Sequence, residues 1–214
     1  MPANVIVMGM RNVAEANHIA TAYNGVVVNT TSKAKNNWQT DLSPFHLGPC
    51  PLYDEYTAAV MENAWQYAKV YKQHTDAHGD PTEAYWDWAK EGWTSEVPVR
   101  YPMKRGARPE YSLWKSEKLG YIEARKRIYA PLYAEAVQKT KGWQRLVQLY
   151  NERDTVILRD YDGYRHDKEN MSLSDVLNCP YKIMGHAFVL KMLLTNDLES
   201  LDQVGLREDT TPSR

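Results

Sequence analysis

The chain is 214 residues long (24.7 kDa) and carries 26 Lys and Arg against 27 Asp and Glu, a formal net charge of −1 and a pI near 6.6. That length suits one domain that buries its own core without staples. The near-zero charge excludes a global field steering the chain to nucleic acid or to a membrane surface, and leaves only local basic patches.

The opening MPANVIVMGMRN holds too short an apolar run for a signal peptide or a membrane span, so a cytoplasmic location is expected. Cys50 and Cys179 lack metal or redox spacing and read as small packing residues in a reducing compartment. Asn4 to Met8 reads as a buried strand, Asn12 to Tyr23 as a helix closed by Asn24-Gly25, and Val26 to Asn29 as a second strand. This strand–helix–strand opening lacks a GxGxxG, having only Met8-Gly9-Met10, which argues against a dinucleotide-binding fold. Thr30 to Asp41 is polar, with Lys33, Lys35, Asn36 and Asn37, and is expected to be an exposed loop; Ser43 to Pro51 is a structured loop with three prolines.

A helix is then predicted from about Asp54 to His74, with Asp54 and Glu55 at its positive end. A second opens with Asp80 as N-cap, Pro81 at the first position and Glu83 behind it, and ends at Gly92. Glu96 to Pro109 is a basic, proline-containing loop. Ser112 to Tyr150 reads as helical, broken at Gly120, Pro131 and Gly142. Val156 to Leu158 is a short strand ending in the turn Arg159-Asp160-Tyr161-Asp162-Gly163; Leu173 to Leu177 is a short helix, and Ile183 to Leu194 an apolar core helix. The tail from Arg207 to Arg214 is polar and expected to fray. The sum is an α+β class: a predominantly helical single domain with a few short strands.

On a wheel of the Asp54–His74 helix, Tyr56, Val60, Asn63, Ala64, Tyr67 and Tyr71 share the packing stripe, while Glu62 falls with Gln66, Lys69 and Gln73. The bland reading makes that second face solvated, with Glu62 touching Gln66 one turn on. The sharper reading presents an acid and an amine to a cleft, where a carboxylate can stabilise an oxocarbenium-like sugar or activate water. Arg159, Asp160, Asp162, Arg165, His166 and Asp167 follow a strand end, a common place for site residues, yet a turn with surface ion pairs explains them equally. The basic loop, with Arg100, Lys104, Arg105, Arg108, Tyr101 and Tyr111, suits a phosphate or a nucleic-acid backbone, or is simply solvated. His74, His78 and His166 make no convincing metal set, and P-loop, GxSxG and HExxH motifs are absent. The 15 Tyr and 7 Trp against 2 Phe fit either stacking pockets or wet helix interfaces.

The order of these segments resembles the NADAR superfamily, the ADP-ribose-type N-glycosidases. The similar residues are Val26 to Ser32, Ser43-Pro44-Phe45, Glu62-Asn63-Ala64-Trp65-Gln66-Tyr67-Ala68-Lys69, Tyr121 to Val137, Val156 to Asp160, Asp162 and Met184-Gly185. Departures are Asp162-Gly163-Tyr164 where the family has Trp-Gly after its late Asp, and Lys182 where it has Asn. The resemblance implies a NADAR-like domain over residues 26–200, a strand–helix extension at 1–25 and a polar tail at 201–214. It implies cleavage of a ribosyl linkage in ADP-ribose or a related nucleotide conjugate, without metal or cofactor. Glu62 would be the main catalytic carboxylate, aided by Asp160 or Asp162. Asn63, Trp65, Tyr67 and Tyr121 would shape the substrate site, and Lys69, Arg105 and Arg127 would meet phosphates. The partner would be a nucleotide-like molecule or an ADP-ribosylated substrate, nucleic acid included. Two other readings stand beside it: a non-catalytic nucleotide or nucleic-acid binding module, and a helical protein-interaction factor.

Overall fold

The structure, a computed structural model, describes residues 3–206. In chain order, β1 (Asn4–Gly9), α1 (Val13–Ala22) and β2 (Gly25–Asn29) are followed by the short helix α2 (Asn37–Thr40) and the hairpin strands β3 (Cys50–Pro51) and β4 (Thr57–Ala58). Next come α3 (Met61–Tyr67), β5 (Lys69–Val70), α4 (Glu83–Thr94), β6 (Tyr111–Trp114) and β7 (Glu117–Leu119). Helix α5 (Tyr121–Ala124) runs through a π turn at Arg125–Tyr129 into α6 (Ala130–Gln138). The rest is α7 (Lys141–Glu152), β8 (Thr155–Asp160), α8 (Leu173–Asn178), α9 (His186–Thr195) and α10 (Leu198–Gln203). The fold is α+β, with short strands among many helices. Among the described residues no helix is long and apolar enough to cross a membrane.

The organising element is β8. It lies between β1 and β2 and runs parallel to both, with Ile157 opposite Ile6 on one side and Val27 on the other. Alternate residues face opposite ways: Val5, Val7, Val28, Val156 and Leu158 join the main core, while Ile6, Met8 and Ile157 meet Ala16 of α1. A parallel strand covered on both faces must be apolar at successive positions, which is why Val156-Ile157-Leu158 stands out as an unbroken run. All three strands end on the same side, at Gly9, Asn29 and Asp160, the side on which open parallel sheets leave a crevice. Residues 4–9 thus belong to the central sheet, and Leu201 and Val204 belong to the main core. The expected boundaries at 25 and 200 separate no packing units. The expected frayed tail at 207–214 lies outside the described residues.

Several expected elements are replaced, each for a tertiary reason. The Asp54–His74 helix shrinks to α3. Asp54 sits at φ 48° in the β3–β4 turn, where Leu52 N–H donates to Tyr56 O at 3.0 Å, so no helix starts there. At the other end, Lys69 and Val70 pair antiparallel with Ser112 and Tyr111. That pairing also turns the first part of the Ser112–Tyr150 helix into the hairpin β6–β7, with Lys115 at φ 56° in its turn. Beyond it Gly120 is the N-cap of α5 and Gly142 lies in the first turn of α7. Pro131 does not break its helix, because the wider π turn lies immediately before it, where a regular turn would press the ring on a carbonyl. In the Thr30–Asp41 segment Thr30 and Thr31 are buried rather than exposed, and Thr30 Oγ1 donates to Arg159 O at 3.0 Å.

Helix α4 begins later than expected, with Thr82 as N-cap, because Asp80 pairs with Lys118 at 2.6 Å. It also runs past Gly92. A Cβ there would lie 2.0 Å from the ring of Tyr67, so this glycine allows α3 and α4 to approach. Gly92→Ala is expected to destabilise the fold by about 1–3 kcal/mol, the usual cost of overpacking, measured as a lower urea midpoint at unchanged slope.

Candidate functional site

A cavity of about 440 Å³ opens at the carboxyl ends of the parallel strands, within the range of small-molecule sites. Its lining comes from far-apart segments: Thr31 to Lys33 after β2, Ser43 to Phe45, Glu62 to Lys69, Arg100 and Tyr101, Tyr121 to Tyr129, Asp160 to Asp162, and Ile183 to His186.

The Ser43-Pro44-Phe45 loop sets the start of α3. Pro44 O accepts from Glu62 N–H at 3.0 Å and Leu47 O accepts from Met61 N–H at 2.8 Å, giving partners to amides that a helix start leaves open. Glu62 is buried, 6 % exposed, so the solvated-face reading fails. Its Oε1 accepts from Gln66 Nε2 at 2.9 Å, and Gln66 Oε1 accepts from Lys69 Nζ at 2.7 Å. The Lys69 ammonium also lies 4.6 Å from the Trp65 ring centroid. Burial raises the Glu62 carboxyl above its ordinary value, opposed by the Gln66 hydrogen bond and by the charges of Lys69, Arg100 and His186. Burial likewise brings Lys69 down to about 8, with Glu62 opposing.

Asp160 and Asp162 enter from the end of β8. Asp160 Oδ2 lies 3.2 Å from His186 Nδ1 and accepts from Ala187 N–H at 3.3 Å, at the positive end of α9. Its Oδ1 accepts from Asp162 N–H at 3.4 Å. His186 Nε2 meets Thr30 O at 2.8 Å; a carbonyl only accepts, so this nitrogen carries a proton. Asp162 pairs with Arg100 Nη2 at 2.8 Å. Burial raises the Asp162 carboxyl, with Arg100 the chief opposing charge.

Of the residues that the resemblance assigns to the site, Glu62, Trp65, Lys69, Tyr121, Asp160 and Asp162 line this one cavity. Four do not. Asn63 points the other way: its Nδ2 donates to Ser95 O at 3.0 Å and Val97 O at 2.9 Å, and its Oδ1 accepts from Val99 N–H at 2.9 Å. Tyr67 is buried on the α4 side, its ring 4.6 Å from Trp88. Arg105 is exposed on its loop outside the lining, and Arg127 is held in a two-pronged pair with Glu117 at 2.9 and 2.6 Å. The structure adds Tyr129, Arg125 and His186 to the lining, and draws Arg100 from the basic loop into it. The Met184-Gly185 pair was the available signal for His186: a Cβ on Gly185 would lie 2.1 Å from Asp160 Oδ2. Among the described residues no three His, Cys, Asp or Glu side chains are grouped to hold a metal ion.

Residues 11–176 match the family described as "Family of unknown function (DUF6939)". The chain belongs to this family. No curated protein and no solved structure matches it. The stretch that matches DUF6939 carries Glu62, Arg100, Asp160 and Asp162, while His186 follows it.

Two outcomes follow from this geometry. Asn63→Ala strips three hydrogen bonds from residues 95–99 and is expected to cost about 1–3 kcal/mol, with faster amide exchange in that loop. Glu62, whose folded value lies above its ordinary 4.5, stabilises the fold most below that pH and progressively less as pH rises through the folded value. Glu62→Gln keeps an acceptor for Gln66. Its melting temperature relative to wild type is therefore expected to climb as pH is raised from 4.5 towards neutrality, read by thermal scans across pH; a gap that narrows would contradict a desolvated Glu62.

Proposed function

We propose that this protein is a glycosidase-type hydrolase that cleaves a ribosyl linkage in ADP-ribose or a related nucleotide conjugate. The observation that carries the reading is the convergence of Glu62 from α3 and Asp162 from the turn after β8 on one cavity walled by Trp65, Tyr121 and Tyr129. The ordered resemblance of Ser43-Pro44-Phe45, Glu62 to Lys69 and Asp162 to NADAR segments supports the same reading.

In this mechanism the aromatic walls hold a base or ribose by stacking. The bond from the anomeric carbon to its nitrogen or oxygen breaks with its electron pair on the leaving group. Glu62, raised by burial, gives that group a proton and as carboxylate stabilises the oxocarbenium-like sugar. Water then adds at the anomeric carbon and its proton returns to a carboxylate. Asp162 orients that water, since Asp160 has both oxygens engaged, by the His186 ring nitrogen Nδ1 and by the Ala187 and Asp162 amides. That engagement of Asp160, with the pairing of Asp162 to Arg100, also favours a second reading, a module that binds the nucleotide without cleaving it.

The test incubates wild type and Glu62→Gln with NAD, ADP-ribose and ADP-ribosylated nucleic acid and separates products by chromatography. Glu62→Gln is expected to lower kcat by roughly 10²–10⁴-fold while ligand binding persists. Equal rates in the two proteins would remove Glu62 from the mechanism, and binding without product in wild type would leave the binding module.

A further inference from the structure

Four cations reach the cavity: Lys33, Lys69, Arg100 and Arg125. Lys69 is held by Gln66 and the Trp65 face. The Arg125 guanidinium is buried and donates to the carbonyls of Val176, Leu177, Cys179 and Lys182 at 2.9 to 3.1 Å, closing the C-terminal end of α8. Lys33 stands exposed at the mouth. Arg100 differs from all three. Its side chain is 36 % exposed, its guanidinium lies 5.5 Å from the Tyr101 ring centroid, and among the described residues its side-chain hydrogen bonding is the single 2.8 Å contact from Nη2 to Asp162 Oδ2. A guanidinium offers five N–H donors in a planar fork that matches a phosphate, so most of its capacity is open. Its charge also acts on Glu62, Asp160 and Asp162 together. Its position is set from below: Asn63, the neighbour of Glu62, clamps Ser95, Val97 and Val99, just ahead of Arg100.

We propose that Arg100 is the anion receptor of the cavity and that Asp162 occupies it until a ligand arrives: an entering phosphate or pyrophosphate group takes Arg100, and the released Asp162 becomes the second working carboxylate beside Glu62. The exchange is favourable because a phosphate brings more charge and can bind the fork through two oxygens, whereas Asp162 makes one bond in a partly solvated setting. Release has a chemical consequence. Burial and the charge of Asp160 both push the Asp162 carboxyl up, and Arg100 is the main group holding it down. A seated anion therefore leaves Asp162 better able to take a proton from water. Uncharged nucleosides would fill the aromatic walls without this release. The choice of ligand rests on the reading of the cavity as a nucleotide site.

The test is isothermal titration of wild type, Asp162→Asn, Arg100→Gln and the double variant with ADP-ribose, inorganic pyrophosphate and adenosine, each protein first checked for an unchanged far-UV spectrum and melt. Asp162→Asn is expected to tighten ADP-ribose and pyrophosphate by about threefold to tenfold, the scale of a partly exposed ion pair. Arg100→Gln is expected to weaken both by roughly tenfold or more, the double variant to show no gain, and adenosine to be unmoved throughout. Phosphate affinities unchanged or weakened by Asp162→Asn, adenosine shifting as much as ADP-ribose, or no binding of either phosphate ligand by wild type would overturn the proposal. The expected pattern without turnover of any substrate would sink the hydrolase and leave the receptor. Turnover by wild type with affinities unmoved by Asp162→Asn would do the reverse.

Discussion

Asp160 Oδ2 sits where the central strand of the parallel sheet meets the N-terminus of α9, and the cavity is built around that junction. One oxygen takes Ala187 N–H and faces His186, while the other takes the amide of Asp162. The positive end of α9 favours a negative charge there. Gly185 is required because any Cβ would enter the carboxylate. His186 carries the constraint onward by donating to Thr30 O, just past β2. One buried side chain thus ties the ends of β8 and β2 to α9 and fixes the turn that carries Asp162. The same bonds give Asp160, one of the two acids expected at the strand end, a structural role there.

Glu62 is the opposite case. It is buried, and among the described residues no cation bonds to it directly. Gln66 stands between it and Lys69, passing a hydrogen bond at each end. A direct Glu–Lys pair would favour both charged forms and cancel much of the effect of burial; the intervening amide keeps the two apart, so the acid stays raised and the amine stays near 8. Perturbed groups of this kind, set beside each other in a cleft, make that cleft a candidate functional site.

What the sequence made legible follows from how local each feature is. The strands at Asn4 to Met8, Val26 to Asn29 and Val156 to Leu158 announce themselves because they are covered on both faces, and the apolar α9 does so for the same reason. The burial of Glu62 was not legible. Its wheel assumed a long helix from Asp54, whereas the hairpin turn before α3 and the β5–β6 pairing after it leave seven residues enclosed on several sides. Asn63 looked like a packing residue and is one, but its role is a polar clamp on a distant loop, which no local pattern reveals. The aromatic surplus divides. Tyr53, Tyr56, Trp86, Trp93 and Trp114 pack on one another around α4, and only Trp65, Tyr121, Tyr129 and a few rim residues serve the cavity.

The short helix α3 does more than its length implies. Met61 and Glu62 amides are held by the Leu47 and Pro44 carbonyls, Glu62 faces the cavity, and Asn63 on the adjacent position faces away to hold the loop that delivers Arg100. Consecutive helical residues point about 100° apart, so one turn can address two surfaces at once. The acid and the loop bearing Arg100 are therefore positioned by the same backbone. On the facing wall, the π turn at Arg125–Tyr129 brings Tyr129 into the lining while Arg125 closes α8. Wide turns of this kind often occur at functional sites because they re-aim side chains without ending the helix. Between these two walls, the Arg100–Asp162 contact is the proposed point of exchange with a ligand, since it joins two side chains, whereas the bonds of Asp160 and Arg125 also hold the ends of α9 and α8.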